Sequence, residues 1–142
     1  MVTINPYLNF MGNTEKAMLF YKSVFGGEFN AIQKFKELPG GEKIAADDQE
    51  KVMHLSLPIG KANHLMASDV LESMGQSLNM GTNITLAVST ESEKEADKIF
   101  NALSNGGQIS MAMNKAFWGA YVGMLTDKFG LLWMISFDAK NK

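Results

Sequence analysis

Apolar and polar positions alternate over residues 2–10, where Ile4, Tyr7, Leu8 and Phe10 read as a strand that stops at Gly12-Asn13. The period then lengthens. Ala17, Phe20, Tyr21, Val24 and Phe25 recur at helical spacing until Gly26-Gly27 ends the helix. Residues 28–38 return to alternation through Phe29, Ile32 and Phe35, and Pro39-Gly40-Gly41 opens a polar loop to about Glu50 that is expected to be mobile. Strands at 52–59 and 62–68 flank a turn from Pro58 to Lys61, and residues 71–81 form a connector.

The same order then repeats. A strand at 83–89, a helix at 92–103 and strands at 108–115, 118–126 and 131–137 follow the connector. One register relates the halves: Gly26 to Gly106 and Gly27 to Gly107 are each 80 positions apart, and the same step pairs Phe20 with Phe100 and Glu15 with Glu95. The chain reads as two β-α-β-β-β modules, about 1–70 and 82–142, forming one α+β domain of curved mixed sheets. Neither half carries enough apolar surface to stand alone.

Charge and composition narrow the chemistry. Thirteen Lys against 15 acids leave a net charge of −2 with no basic block, which offers nucleic acid no electrostatic footprint. No Cys is present, so disulfides, thiolate metal ligands and Cys nucleophiles are excluded together. The beginning of the chain lacks a signal-like segment and no apolar run approaches the roughly 20 residues that span a bilayer, so a cytoplasmic protein is expected. Asn83-Ile84-Thr85 fits a glycosylation sequon but falls within an expected strand.

Two runs carry a family resemblance. The first is the strand followed by Gly12-Asn13, Glu15, Ala17, Phe20-Tyr21 and Phe25-Gly26-Gly27; the second is Phe117-Trp118-Gly119, Gly123, Asp127, Phe129-Gly130, Trp133 and Ile135. Together they resemble the PhnB-like branch of the glyoxalase/bleomycin-resistance/dioxygenase group, the vicinal-oxygen-chelate superfamily. The resemblance covers almost the whole chain. It implies the two-module fold and, in metal-dependent members, a cation held from the first and fourth strands of each module. Those positions fall near Pro6, Asn83, His64 and Met134, of which His64 alone is a good ligand, so a glyoxalase-type metal centre is not expected.

The remaining candidates are few. His54 and His64 lie on adjacent expected strands and can pair as general base and orienting donor; the resemblance to PhnB-like sequences at its position makes His54 the expected catalytic residue. Trp118, Tyr21 and Phe10, with Met66 and Met134, are expected to line a cavity for a small apolar or aromatic ligand. Asp69 and Asp127 each end a strand or open a turn, where Asp bonds backbone. Gly26-Gly27 and Gly106-Gly107 follow helices, whereas a nucleotide loop opens one, so the methyltransferase name attached to similar sequences finds no support. Without any Arg, bidentate clamping of a phosphonate is unavailable. A homodimeric small-molecule protein without a cofactor is the expectation, beside two alternatives: a metal-dependent lyase, isomerase or dioxygenase using His64, and a sequestration protein without turnover.

Overall fold

The computed structural model describes residues 2–141, so the outermost residues of the two expected modules, 1 and 142, lie outside it. The chain forms two compact units, Met1–Asn79 and Met80–Lys142. Residues 71–79 of the expected connector therefore group with the first unit, where Leu71 is buried and donates its N–H to Gln76 Oε1 at 2.7 Å.

Unit 1 contains β1 (Tyr7–Phe10), α1 (Thr14–Phe25), β2 (Ala31–Lys34), a short α2 (Ala46–Gln49), β3 (Val52–Ile59) and β4 (Asn63–Asp69). Its sheet runs β1-β4-β3-β2, with β1 parallel to β4 and the other pairs antiparallel. Unit 2 repeats this with β5 (Leu86–Ser89), α3 (Glu93–Ser104), β6 (Gln108–Lys115), β7 (Tyr121–Thr126) and β8 (Leu132–Phe137), in the order β5-β8-β7-β6. Both first strands and both long helices are offset by 79 residues (86 − 7 and 93 − 14), one less than the glycine spacing, because Asn105 intervenes between α3 and Gly106.

Alternation decides what each sheet buries. In unit 1, Leu8 and Phe10 of β1, Leu55 and Leu57 of β3, and Leu65 and Ala67 of β4 lie under Ala17, Met18 and Tyr21 of α1. Burying each large member contributes about 1.5–3 kcal/mol. In unit 2, Leu125, Trp133 and Ile135 pack under Ala96, Phe100 and Leu103 of α3. The close approach of α3 requires Gly123, since a Cβ there would lie 2.8 Å from Phe100 Cε2 and 2.6 Å from Met113 Sδ.

Two of the three buried aspartates, Asp69 and Asp127, fasten these layers. Asp69, 3% exposed at the end of β4, accepts through Oδ1 from the Gly12 and Thr14 N–H groups and the Thr14 hydroxyl, at 2.9, 3.1 and 2.7 Å. Its Oδ2 accepts from the Val52 N–H at 2.9 Å. Asn13, at the N-cap of α1, makes no side-chain capping bond, so a carboxylate from β4 caps the helix. Asp127 accepts from the Phe129 and Leu131 N–H groups and from Trp133 Nε1. The local-turn reading describes Asp127; the partners of Asp69 are 17 to 57 residues distant.

Several strands are shorter than their patterns suggest. β1 begins at Tyr7, not residue 2: Val2 and Ile4 are exposed, and pairing starts where the Pro6 carbonyl accepts the Met66 N–H. β5 begins at Leu86, which leaves the Asn83-Ile84-Thr85 sequon ahead of the strand. Of 28–38 only Ala31–Lys34 is strand, because the register shifts after Gln33 and Phe35–Glu37 turns into a 3₁₀ helix. The expected loop after it contains a second 3₁₀ turn and α2. Asp48 anchors it, accepting from Lys51 Nζ at 2.8 Å and Ser73 Oγ at 2.6 Å.

Removing the Asp69 carboxylate orphans several buried donors, so Asp69→Ala is expected to lower the unfolding free energy by about 3 kcal/mol or more in urea titrations. A loss below about 1 kcal/mol would contradict the capping role. The bonds from Lys51, and then Ser73, hold the Asp48 carboxyl below the usual range. Its stabilisation is therefore present above the ordinary carboxylate pKa and lost as pH falls through the lower folded value. The stability gap between wild type and Asp48→Asn should be wider at pH 7 than at pH 3, and a pH-independent gap would contradict this.

Candidate functional site

The face of the unit 1 sheet away from α1 follows from the same alternation. Tyr7 pairs with Met66, and Met66 with Ser56, so these three lie in one row across β1, β4 and β3. His54 lies two residues from Ser56 on that face, beside Gln33 of β2. Tyr7 leans over the row: its hydroxyl lies 3.2 Å from His54 Nδ1, with ring centroids 5.7 Å apart and planes tilted by 32°. Which atom donates depends on the imidazole tautomer. Nε2 has no hydrogen-bond partner among the described residues, so one ring nitrogen is oriented by the phenol and the other is available for acid–base work. Met66, half-buried, gives the row a polarizable apolar surface.

The two histidines share this face but do not meet. Pro58 pairs with His64 and Ser56 with Met66, which places His54 and His64 four residues apart along the sheet, about 13 Å at the strand rise. The expected His54–His64 pair is thus replaced by His54 with Tyr7. Tyr7 was missed because the pairing that brings it there joins residues 47 apart; its alternation with Leu8 and Phe10 was the available signal.

The other candidates fall in different places. Phe10 and Tyr21, expected in a cavity, lie on the opposite side of the sheet, 2% and 0% exposed beneath α1, because Phe10 is in phase with Leu8 and Tyr21 is on the buried stripe of the helix. In unit 2, Met134 of β8 lies on the face away from α3, half-buried and paired with Ala87 and Met124. Trp118 is 55% exposed and meets the 98%-exposed Phe117 edge-on at 4.9 Å. Both stand in the turn between β6 and β7, closed by the Ala116–Ala120 and Gly119–Ala116 backbone bonds, so Trp118 lies outside the strand, which begins at Tyr121 and not at the expected residue 118.

The superfamily's metal positions can be tested on donor chemistry. Extending the β1–β4 register two residues ahead of β1 sets Asn5, rather than Pro6, beside His64, and Asn5 Oδ1 already accepts the His64 N–H at 2.8 Å. The partner of Met134 is Ala87, not Asn83, which precedes the strand. One imidazole and an amide in unit 1, and a methyl and a thioether in unit 2, do not supply the roughly three hard or borderline ligands of a glyoxalase-type ion. Among the described residues no group of three or more His, Asp or Glu is placed to hold a metal.

Two mixed four-stranded sheets, each crossed by one long helix, define a glyoxalase/bleomycin-resistance-like protein. Several solved members of that group, 16 to 21% identical, share the fold at TM-scores of 0.59 to 0.66. The family model described as 3-demethylubiquinone-9 3-methyltransferase matches residues 2–136, and the chain belongs to that family, the PhnB-like branch of the group. Protein YjdN of Escherichia coli K12 is 30% identical over 137 residues, 94% of this chain and 93% of its own. The crystal structure of protein PA1353 from Pseudomonas aeruginosa is 34% identical with a TM-score of 0.85, covering 97% of this chain and 98% of that one. The PhnB protein from Bacillus cereus is 26% identical with a TM-score of 0.75, over 96% and 99% of the two chains.

The Tyr7–His54 contact predicts a spectroscopic signature. In Tyr7→Phe the His54 imidazole ¹⁵N resonances should move while those of His64 stay in place; unmoved His54 signals would contradict the contact.

Proposed function

We propose that the protein binds a small apolar or aromatic molecule against Met66 on the helix-free face of unit 1, with the Tyr7–His54 pair as its polar contact. The observation that carries this is the juxtaposition of an oriented imidazole with an unpartnered Nε2 and a half-buried thioether on one sheet face. His54 Nε2 is the acid–base group offered to the ligand. Trp118, whose ring has a large exposed area, is proposed as an aromatic ligand contact of unit 2, and Met134 as an apolar one. Phe10 and Tyr21 contribute by supporting the sheet from behind.

The site is read as working without a glyoxalase-type metal centre, on the donor chemistry around His64. The methyl-transfer name of the family is not adopted, because Gly26-Gly27 and Gly106-Gly107 terminate α1 and α3 rather than opening a helix onto a nucleotide. A cytoplasmic homodimer belongs to the same reading. Among the described residues no helix is long and apolar enough to cross a membrane.

A thermal-shift screen of aromatic fragments, followed by calorimetry, is the test. At least one ligand should lose about tenfold in affinity in His54→Ala or Trp118→Ala, about 1.4 kcal/mol. Retention of every affinity in both variants would reject the site. Light scattering at micromolar concentration should give a mass near twice 15.6 kDa, and a monomer would remove the dimer.

A further inference from the structure

The helix-free face of unit 2 carries a row of methionines. Met111 of β6 pairs with Met124 of β7, and Met124 pairs with Met134 of β8. Directly paired residues share a face, so three thioethers stand side by side on adjacent strands, with Cβ atoms of neighbours about 5 Å apart. Met111 is 37% exposed, and Met124 and Met134 are half-buried.

The register shows that this row is made by a backbone irregularity. Gln108 pairs with Thr126 and Ile109 with Leu125, a register that would set Ser110 opposite Met124. A one-residue shift between Ile109 and Met111 places Met111 there instead, and a second shift follows before Asn114. β-Bulges re-aim side chains in this way and recur beside functional sites. The neighbours on the same face, Val122, Thr126, Leu132 and Ser136, carry no ionisable group.

We infer that Met111, Met124 and Met134 form a binding site for a soft monovalent cation, Cu(I) or its analogue Ag(I). Thioether sulfur is a soft donor that selects Cu(I), while Zn²⁺, Ca²⁺ and Mg²⁺ need the thiolate, imidazole or oxygen ligands that this face lacks. Three rotatable bonds per side chain let the outer sulfurs converge over Met124. A neutral donor set suits a single positive charge. The site is distinct from the donors around His64 in unit 1, and it stands whether or not an organic ligand binds at His54.

The test is anaerobic titration of the full chain with Cu(I) in competition with bicinchoninate, paired with Ag(I) titration read from the Met ε-methyl ¹³C signals. Binding of one Cu(I) per chain is expected, with three methyl signals moving together. Met124→Leu keeps the apolar bulk and removes the sulfur, and should weaken binding at least about tenfold. Met74→Leu, at a 67%-exposed position elsewhere, His54→Ala and His64→Ala should leave binding unchanged. Failure to withdraw Cu(I) from bicinchoninate, or binding lost in a histidine variant and kept in Met124→Leu, would overturn the site. Should Met124→Leu fail to fold by circular dichroism, Met111→Leu at the sheet edge makes the same discrimination.

Discussion

The Asp69 carboxylate, at the end of β4, meets four donors from two other stretches of the chain, the Gly12–Thr14 turn and the start of β3. A buried charge is tolerated only when its hydrogen bonds are satisfied, and here they are made by groups that would otherwise be orphaned at a helix start and a strand end. The bond set therefore fixes where α1 begins relative to the sheet. Next to Asp69, the Val70 N–H donates to the Phe10 carbonyl at 2.8 Å, a backbone bond that holds the end of β1 beside β4.

That placement determines the candidate site. With β1 parallel to β4, Phe10 aligns with Asp69 and faces α1, and Tyr7, three residues earlier, faces the other way. The antiparallel β3–β4 register then brings His54 within reach of the Tyr7 hydroxyl. A one-residue slip of β1 would exchange Leu8 and Phe10 with Tyr7 and Asn9, spoiling core and site together. Packing and chemistry on the two faces of this sheet are consequences of one register.

The fold was legible because its signals are local. β3 and β6 occupy the residues their patterns indicate, Gly26 ends α1 at a φ of +80°, and the Ser92 hydroxyl caps α3 by accepting the Glu95 N–H at 3.0 Å. The family resemblance, carried by the same glycine stops and aromatic closing run, named the fold class directly. The site was less legible because its contacts are not local. Phe10 and Tyr21 read equally as cavity-lining or core aromatics until β1 is paired and its phase against α1 is known. Trp118 reads as strand by composition, yet Gly119, at a φ of +101°, makes the turn that lifts it from the sheet. The Met111–Met124 pairing depends on a bulge that alternation alone places one residue away.

The helix-free face of unit 1, with His54 oriented by Tyr7, is the proposed binding face for a small molecule. The most direct measurement is an NMR map of a bound aromatic fragment, using protein labelled at Met methyl and His and Tyr ring positions. The shifts and fragment-to-protein NOEs should concentrate on Tyr7, His54 and Met66. Fragment binding that leaves these three unperturbed would contradict it.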